Sequence, residues 1–134
     1  MQKEVMLLTG AGQIGMAIAR RMGYGMKIVV GDKRIENAQA VADTMNRAGF
    51  DVLPVEMDLS SRTSILKLID TAQQYGEIAM LVNAAGVSPS QASVETILKV
   101  DLYGTAVLLE EVGKVIRQGG TGVTVSSQSG HRLP

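Results

Sequence analysis

The sequence predicts an α/β fold: a doubly wound parallel sheet with strand order 3-2-1-4-5 and helices on both faces. Three observations carry this. Short apolar runs alternate with segments of helical periodicity along the whole chain. No tight-hairpin dipeptide joins two neighbouring runs, so the strands read as parallel and linked by helical crossovers. The 134 residues, 46% hydrophobic and 19% charged, suffice for one core and one domain over 1–134, without repeat or linker. Right-handed crossovers then set the strand order and open a crevice beyond the carboxyl ends of strands 1 and 4.

The first strand, Val5–Leu8, leads through Thr9-Gly10-Ala11-Gly12-Gln13-Ile14-Gly15 into a helix over Gln13–Met22. Gly10 permits a tight reversal, Gly12 lets backbone approach a pyrophosphate with no Cβ between, and Gly15 lets the helix pack closely on the strand. The free N–H groups and positive dipole end of the helix then face the phosphates. Lying between a strand and a helix, the string reads as a dinucleotide-binding turn. Gly10, Gly12, Gln13, Ile14 and Gly15 are the first candidate cofactor-binding residues.

The second strand, Lys27–Val30, ends at Gly31-Asp32. A carboxylate at that strand end can accept hydrogen bonds from both adenosine ribose hydroxyls and repels a 2′-phosphate, so NAD is expected. Lys33 and Arg34 beside it could instead attract that phosphate, which keeps NADP open. The competing role for Asp32 is a cap on the helix over Ile35–Ala48, which Gly49 terminates. The third strand, Asp51–Glu56, ends at Met57-Asp58-Leu59. Asp58 can accept from an adenine amino group with Leu59 flanking the ring, or serve as a helix cap or solvated turn. The helix that follows, Ser61–Tyr75, carries Ser60 or Ser61 as its capping serine.

The fourth strand, Ile78–Val82, runs into Asn83-Ala84-Ala85-Gly86. Three small residues after a buried strand imply that something bulky, naturally a nucleotide, crosses its end. Asn83 can tie neighbouring strands through side-chain hydrogen bonds. A long helix is expected over Val94–Gln118, stopped by Gly119-Gly120. Val94, Ile97, Leu98, Thr105, Leu108, Val112 and Val115 form one stripe, with Asp101 on it, while Val100, Tyr103, Val107 and Leu109 are apolar on other faces. Core on one face and a partner helix on the other is the expected arrangement. Gly104 in mid-helix implies a close contact. The fifth strand, Gly122–Val125, ends at Ser126-Ser127-Gln128-Ser129-Gly130, which brings hydroxyls to the crevice for hydrogen bonding to a substrate oxygen.

Composition narrows the function. Lys plus Arg and Asp plus Glu number 13 each, so there is no electrostatic case for nucleic acid or an anionic membrane. Aromatics at 3% leave no stacking platform for single strands. Without cysteine, thiolate catalysis and cysteine-ligated zinc are excluded, and the single His131 has no partner for a metal site. No apolar run has the length of a membrane span, so a cytoplasmic protein is expected.

Taken in order, Thr9-Gly10 to Gly15, Asp32, Asp58-Leu59, Asn83 to Gly86, Val100-Asp101-Leu102-Tyr103-Gly104 and Ser126 to Gly130 resemble the landmarks of the short-chain dehydrogenases/reductases. The resemblance runs from residue 4 to 130. It implies a Rossmann-type domain and hydride transfer between a nicotinamide cofactor and a small alcohol or carbonyl. It implies that Asn83, Ala84, Ala85 and Gly86 lie by the adenosine half, that Ser127 holds the reacting oxygen, and that the 94–118 helix forms a homo-oligomer interface. The chain departs from the family pattern in three ways. Its glycine turn is one residue shorter, with Gln13 where a glycine often sits, and Asp101 stands where the family usually carries an asparagine that organises a proton-relay water. Nor is any of Tyr24, Tyr75 and Tyr103 followed four residues later by the lysine of the family's YxxxK acid–base pair. The expectation is therefore the cofactor-binding portion of an alcohol/carbonyl oxidoreductase, inactive without that pair. The alternative is a non-catalytic dinucleotide-binding or redox-sensing module.

Overall fold

A computed structural model describes residues 3–85 and 92–125. Five strands form one sheet: β1 (Val5–Thr9), β2 (Lys27–Asp32), β3 (Asp51–Glu56), β4 (Ile78–Asn83) and β5 (Thr121–Thr124). Their order is β3-β2-β1-β4-β5, and every neighbouring pair is parallel, as expected from the sequence. Between them run α1 (Gln13–Met22), α2 (Ile35–Arg47) and α3 (Arg62–Gln73). A continuous helical segment precedes β5, made of α4 (Val94–Ile97), a π-helical stretch (Leu98–Gly104) and α5 (Thr105–Gly113).

The strands are apolar throughout because both faces are covered. Along β1, Val5 and Leu7 join one core with Leu68 and Ile69 of α3 and Leu108 and Val112 of α5. Met6 and Leu8 join the other, with Ala19 of α1 and Ala38, Val41 and Met45 of α2. Each fully buried Val, Leu, Ile or Met side chain among them contributes about 1.5–3 kcal/mol relative to exposure. Ser61 is the serine that caps α3, its Oγ accepting from the Ser64 N–H at 3.2 Å. Gly49, at φ +95°, follows α2.

The register aligns the carboxyl ends. Thr9 lies beside Gly31 of β2 and Asn83 of β4. Ladder-like bonds continue past the strands: Gly10 N–H donates to Gly31 O at 2.8 Å, Ala84 N–H to Thr9 O at 2.8 Å, and Met57 N–H to Asp32 O at 2.9 Å. The loops that leave the sheet here are thus fixed by backbone bonds.

The fourth helix is where the structure departs from the sequence reading. It ends at Gly113 rather than Gln118, after which Ile116 N–H still reaches Val112 O but Arg117 N–H donates to Ile78 O beneath β4. The expected stripe is also broken. Val94 and Leu98 are exposed, and Asp101 faces solvent rather than apolar neighbours. The packed line instead runs through Thr96, Val100, Gly104, Val107, Leu108, Glu111 and Val112. A π-turn takes up an extra residue, so the 3.6-residue phase set downstream does not extend upstream of Gly104.

Candidate functional site

A cleft of about 500 Å³ lies at the carboxyl ends of β1, β2 and β3, where β1 gives way to α1. Its floor is the turn Gly10-Ala11-Gly12. Gly10 adopts φ +91°, and a Cβ there would lie 2.6 Å from Ala85 N, so both conformation and space demand glycine. At Gly12 a Cβ would meet nothing within 4 Å, because the backbone faces open cleft. Gly12 is also the N-cap of α1, with no side-chain cap and no acid in the first turn. The amino end of α1 therefore keeps its donors for an external anion.

One wall comes from β2 and the start of α2. Both oxygens of Asp32 accept backbone N–H groups: Oδ2 from Ala11 at 2.8 Å and Oδ1 from Arg34 at 2.8 Å. The carboxylate thus ties the glycine turn to the β2–α2 loop and retains lone pairs for a ligand's hydroxyls. Lys33, Arg34 and Asn37 complete that wall.

The second wall is Met57-Asp58-Leu59, faced by Thr96 and Val100 from the helical segment. Asp58 Oδ1 accepts from both the hydroxyl and the N–H of Ser60, at 2.7 and 2.9 Å. The Ser60 hydroxyl, more than any other group, holds the Asp58 carboxyl below the ordinary aspartate range, against the effect of burial; Ser60 N–H and the Lys33 charge add to it. The Asp58 N–H donates to Ser64 Oγ at 2.8 Å, which fixes this turn on α3.

The back of the cleft is Ala84 and Ala85. Asn83 before them is buried and accepts from Thr9 Oγ1 at 2.6 Å, with its Nδ2 3.5 Å from Thr105 Oγ1. It joins β1, β4 and α5 from behind the cleft, the tying role its position suggested.

Of the residues singled out from sequence, Gly10, Gly12, Asp32, Asp58, Leu59, Ala84 and Ala85 converge on this cleft. Gly15 is buried beneath it, where a Cβ would lie 2.9 Å from Gly10 O, and Asn83 supports it. Gln13 and Ile14 are exposed on the first turn of α1 and do not line it, and neither does Asp101. Gly86 and Ser127, with the rest of 126–130, lie outside the described residues. Sequence reasoning missed Asn37, Met57, Thr96 and Val100. Asn37 was accessible, being in the first turn of the helix after Asp32; Thr96 and Val100 depend on the π-helical phase and carried no local signal.

Known proteins share this parallel sheet and its helices. A family model described as short chain dehydrogenase matches residues 4–133. The chain is 39% identical over 133 residues to short-chain dehydrogenase/reductase bsc3 of Alternaria brassicicola, covering 99% of this chain and 48% of that one. A crystal structure of a short chain dehydrogenase/reductase from Burkholderia phymatum in complex with NAD superposes with TM-score 0.87 at 26% identity, covering 99% of this chain and 52% of that one. An actinorhodin polyketide ketoreductase with NADPH gives TM-score 0.83 at 26% identity, covering 97% and 55%. The chain spans about half the length of these relatives.

Proposed function

From the premise that the chain belongs to the short chain dehydrogenase family, we propose that it forms the nicotinamide-dinucleotide-binding part of an alcohol/carbonyl oxidoreductase. The observation that carries this is the open Gly10–Gly12 turn at the uncapped start of α1, braced from below by the Asp32 carboxylate. A pyrophosphate fits there, since Gly12 offers backbone with nothing in front of it and the helix offers unclaimed N–H donors. Asp32 would accept the ribose hydroxyls, and Asp58 and Leu59 would flank the adenine. The nicotinamide supplies the hydride chemistry when bound. This chain's residues hold and orient the nucleotide, and Ser127 would hold the substrate oxygen.

NAD is the preferred cofactor on this reading. The acid occupies the end of β2, while Lys33 and Arg34 are exposed at the same wall. Exposed apolar side chains on the 94–113 segment, Leu98, Leu102, Tyr103 and Leu109, support a homo-oligomer contact through it. Among the described residues no helix is long and apolar enough to cross a membrane; a cytoplasmic location belongs to the same reading.

The residues in hand favour binding over turnover, because none of the three tyrosines has a lysine four positions on. This is the specific support for a second reading, a module that binds the dinucleotide without reacting it. Fluorescence titration with NADH and NADPH tests the binding claim, with tighter NADH binding expected; indifference to both removes it. An alcohol-oxidation assay separates the two readings, and these 134 residues are expected to give little turnover. Asp32→Ala should weaken NAD by about tenfold and narrow the gap to NADP; an unchanged preference would move the ribose contact elsewhere.

A further inference from the structure

We propose that Gly104 is a positioning residue of the cleft, setting the gap between its two facing walls from outside it. A Cβ at Gly104 would lie 2.3 Å from Leu59 O, 2.7 Å from Leu59 Cγ and 3.0 Å from Leu59 C. The first distance is roughly 1 Å inside ordinary van der Waals separation, and the obstacle is backbone, which cannot rotate away. The helical segment therefore sits directly on the carbonyl of Leu59, at the junction where the π-helical stretch ends and α5 begins.

Leu59 belongs to one wall of the cleft. Val100, four residues before Gly104, and Thr96, four before that, supply the wall opposite. The three share the packed side of the segment at four-residue spacing, Thr96 in α4 and Val100 and Gly104 in the π-helical stretch. Downstream, Thr105 Oγ1 stands 3.5 Å from Asn83 Nδ2 at the back of the cleft. On the other side, Ser64 Oγ pins Asp58 by accepting its N–H. Neither wall can shift independently of the Gly104 seat. The ligand part that senses the gap is a flat heteroaromatic ring, which must be gripped on two faces at once.

This inference rests on the dinucleotide reading above, and the test keeps the two apart. NAD and AMP are titrated calorimetrically into the 134-residue chain, Gly104→Ala and Gly23→Ala. The last is a crowded control away from the cleft, where a Cβ would lie 2.7 Å from Ala19 O and from Ile28 Cδ1. Melting temperatures are recorded alongside. The expected result is about a tenfold loss of both affinities in Gly104→Ala, with Gly23→Ala binding normally once corrected for its folded fraction. Normal binding by Gly104→Ala, or losses in both variants that merely follow their stability, overturns the inference while leaving the dinucleotide reading intact. No binding of either nucleotide by the unaltered chain overturns both. If Gly104→Ala does not fold, Val100→Ala and Val100→Leu widen and narrow the same gap without disturbing the seat. Because Val100 also packs against the core, affinities are corrected for folded fraction; both variants are then expected to weaken AMP about threefold or more, and unchanged affinity in both overturns the inference.

Discussion

Single side chains at the carboxyl edge do two jobs, one for the fold and one for the cleft. Thr9 and Asn83 are both buried and satisfy each other across β1 and β4. Thr9→Val should leave the Asn83 oxygen short of a donor and cost about 1–3 kcal/mol, read as a lower urea midpoint. The acids behave alike under titration. Asp58 is held down chiefly by Ser60; at Asp51, burial pushes upward but Lys27 and Lys3 prevail, at 3.0 and 3.2 Å. A carboxyl whose folded pKa is depressed adds stability above its unfolded value and loses it as pH falls through the folded one. The urea midpoint is therefore expected to be flat from neutrality to about pH 5 and to fall below about pH 4. Asp58→Asn and Asp51→Asn should each make that fall shallower, and an unaltered profile would remove these two acids from the account.

Among the elements, Ser61→Ala should destabilise the chain by about 1 kcal/mol by removing the acceptor of the Ser64 N–H at the start of α3, measured by denaturant unfolding. Strands β1, β2 and β4 were legible because burial on both faces makes an uninterrupted apolar run; α1 was legible from the glycine turn that opens it and α2 from periodicity and its terminal Gly49. Thr9 and Asn83, read as following their strands, prolong them because the backbone ladder outlasts the apolar run, and β2 ends at Asp32 as read. The helical segment before β5 was misread for a more basic reason. A periodicity argument assumes 100° per residue, and a π-turn does not keep that phase. Val94, Leu98 and Asp101 therefore changed sides. Gly104 remained legible through it all, since a glycine among good helix formers signals contact whatever the phase. The cleft's glycines and acids could be read from strand ends alone, but its Thr96–Val100 wall required the observed helix.

For the whole molecule, cohesion is uneven across the sheet. β1 sits at the centre with every residue buried, whereas all of β5 is exposed at the edge. Amide hydrogen exchange is expected to protect β1 and β4 to near the global unfolding limit and β5 far less. Val123, 48% exposed on that edge, is a candidate for self-association; Val123→Lys should lower concentration-dependent light scattering without lowering the melting temperature. Ion pairs gather at the opposite rim of the sheet, where Lys27 bridges Asp51 and lies 4.5 Å above the Tyr75 ring. The bond from Ala11 N–H to Asp32 limits how that wall of the cleft can be altered. Removing the acid would free the N–H groups of Ala11 and Arg34 together and so slacken the glycine turn and the β2–α2 loop at once. Charge at this wall is therefore altered with less disturbance at the exposed Lys33 and Arg34 than at the aspartate that holds the turn.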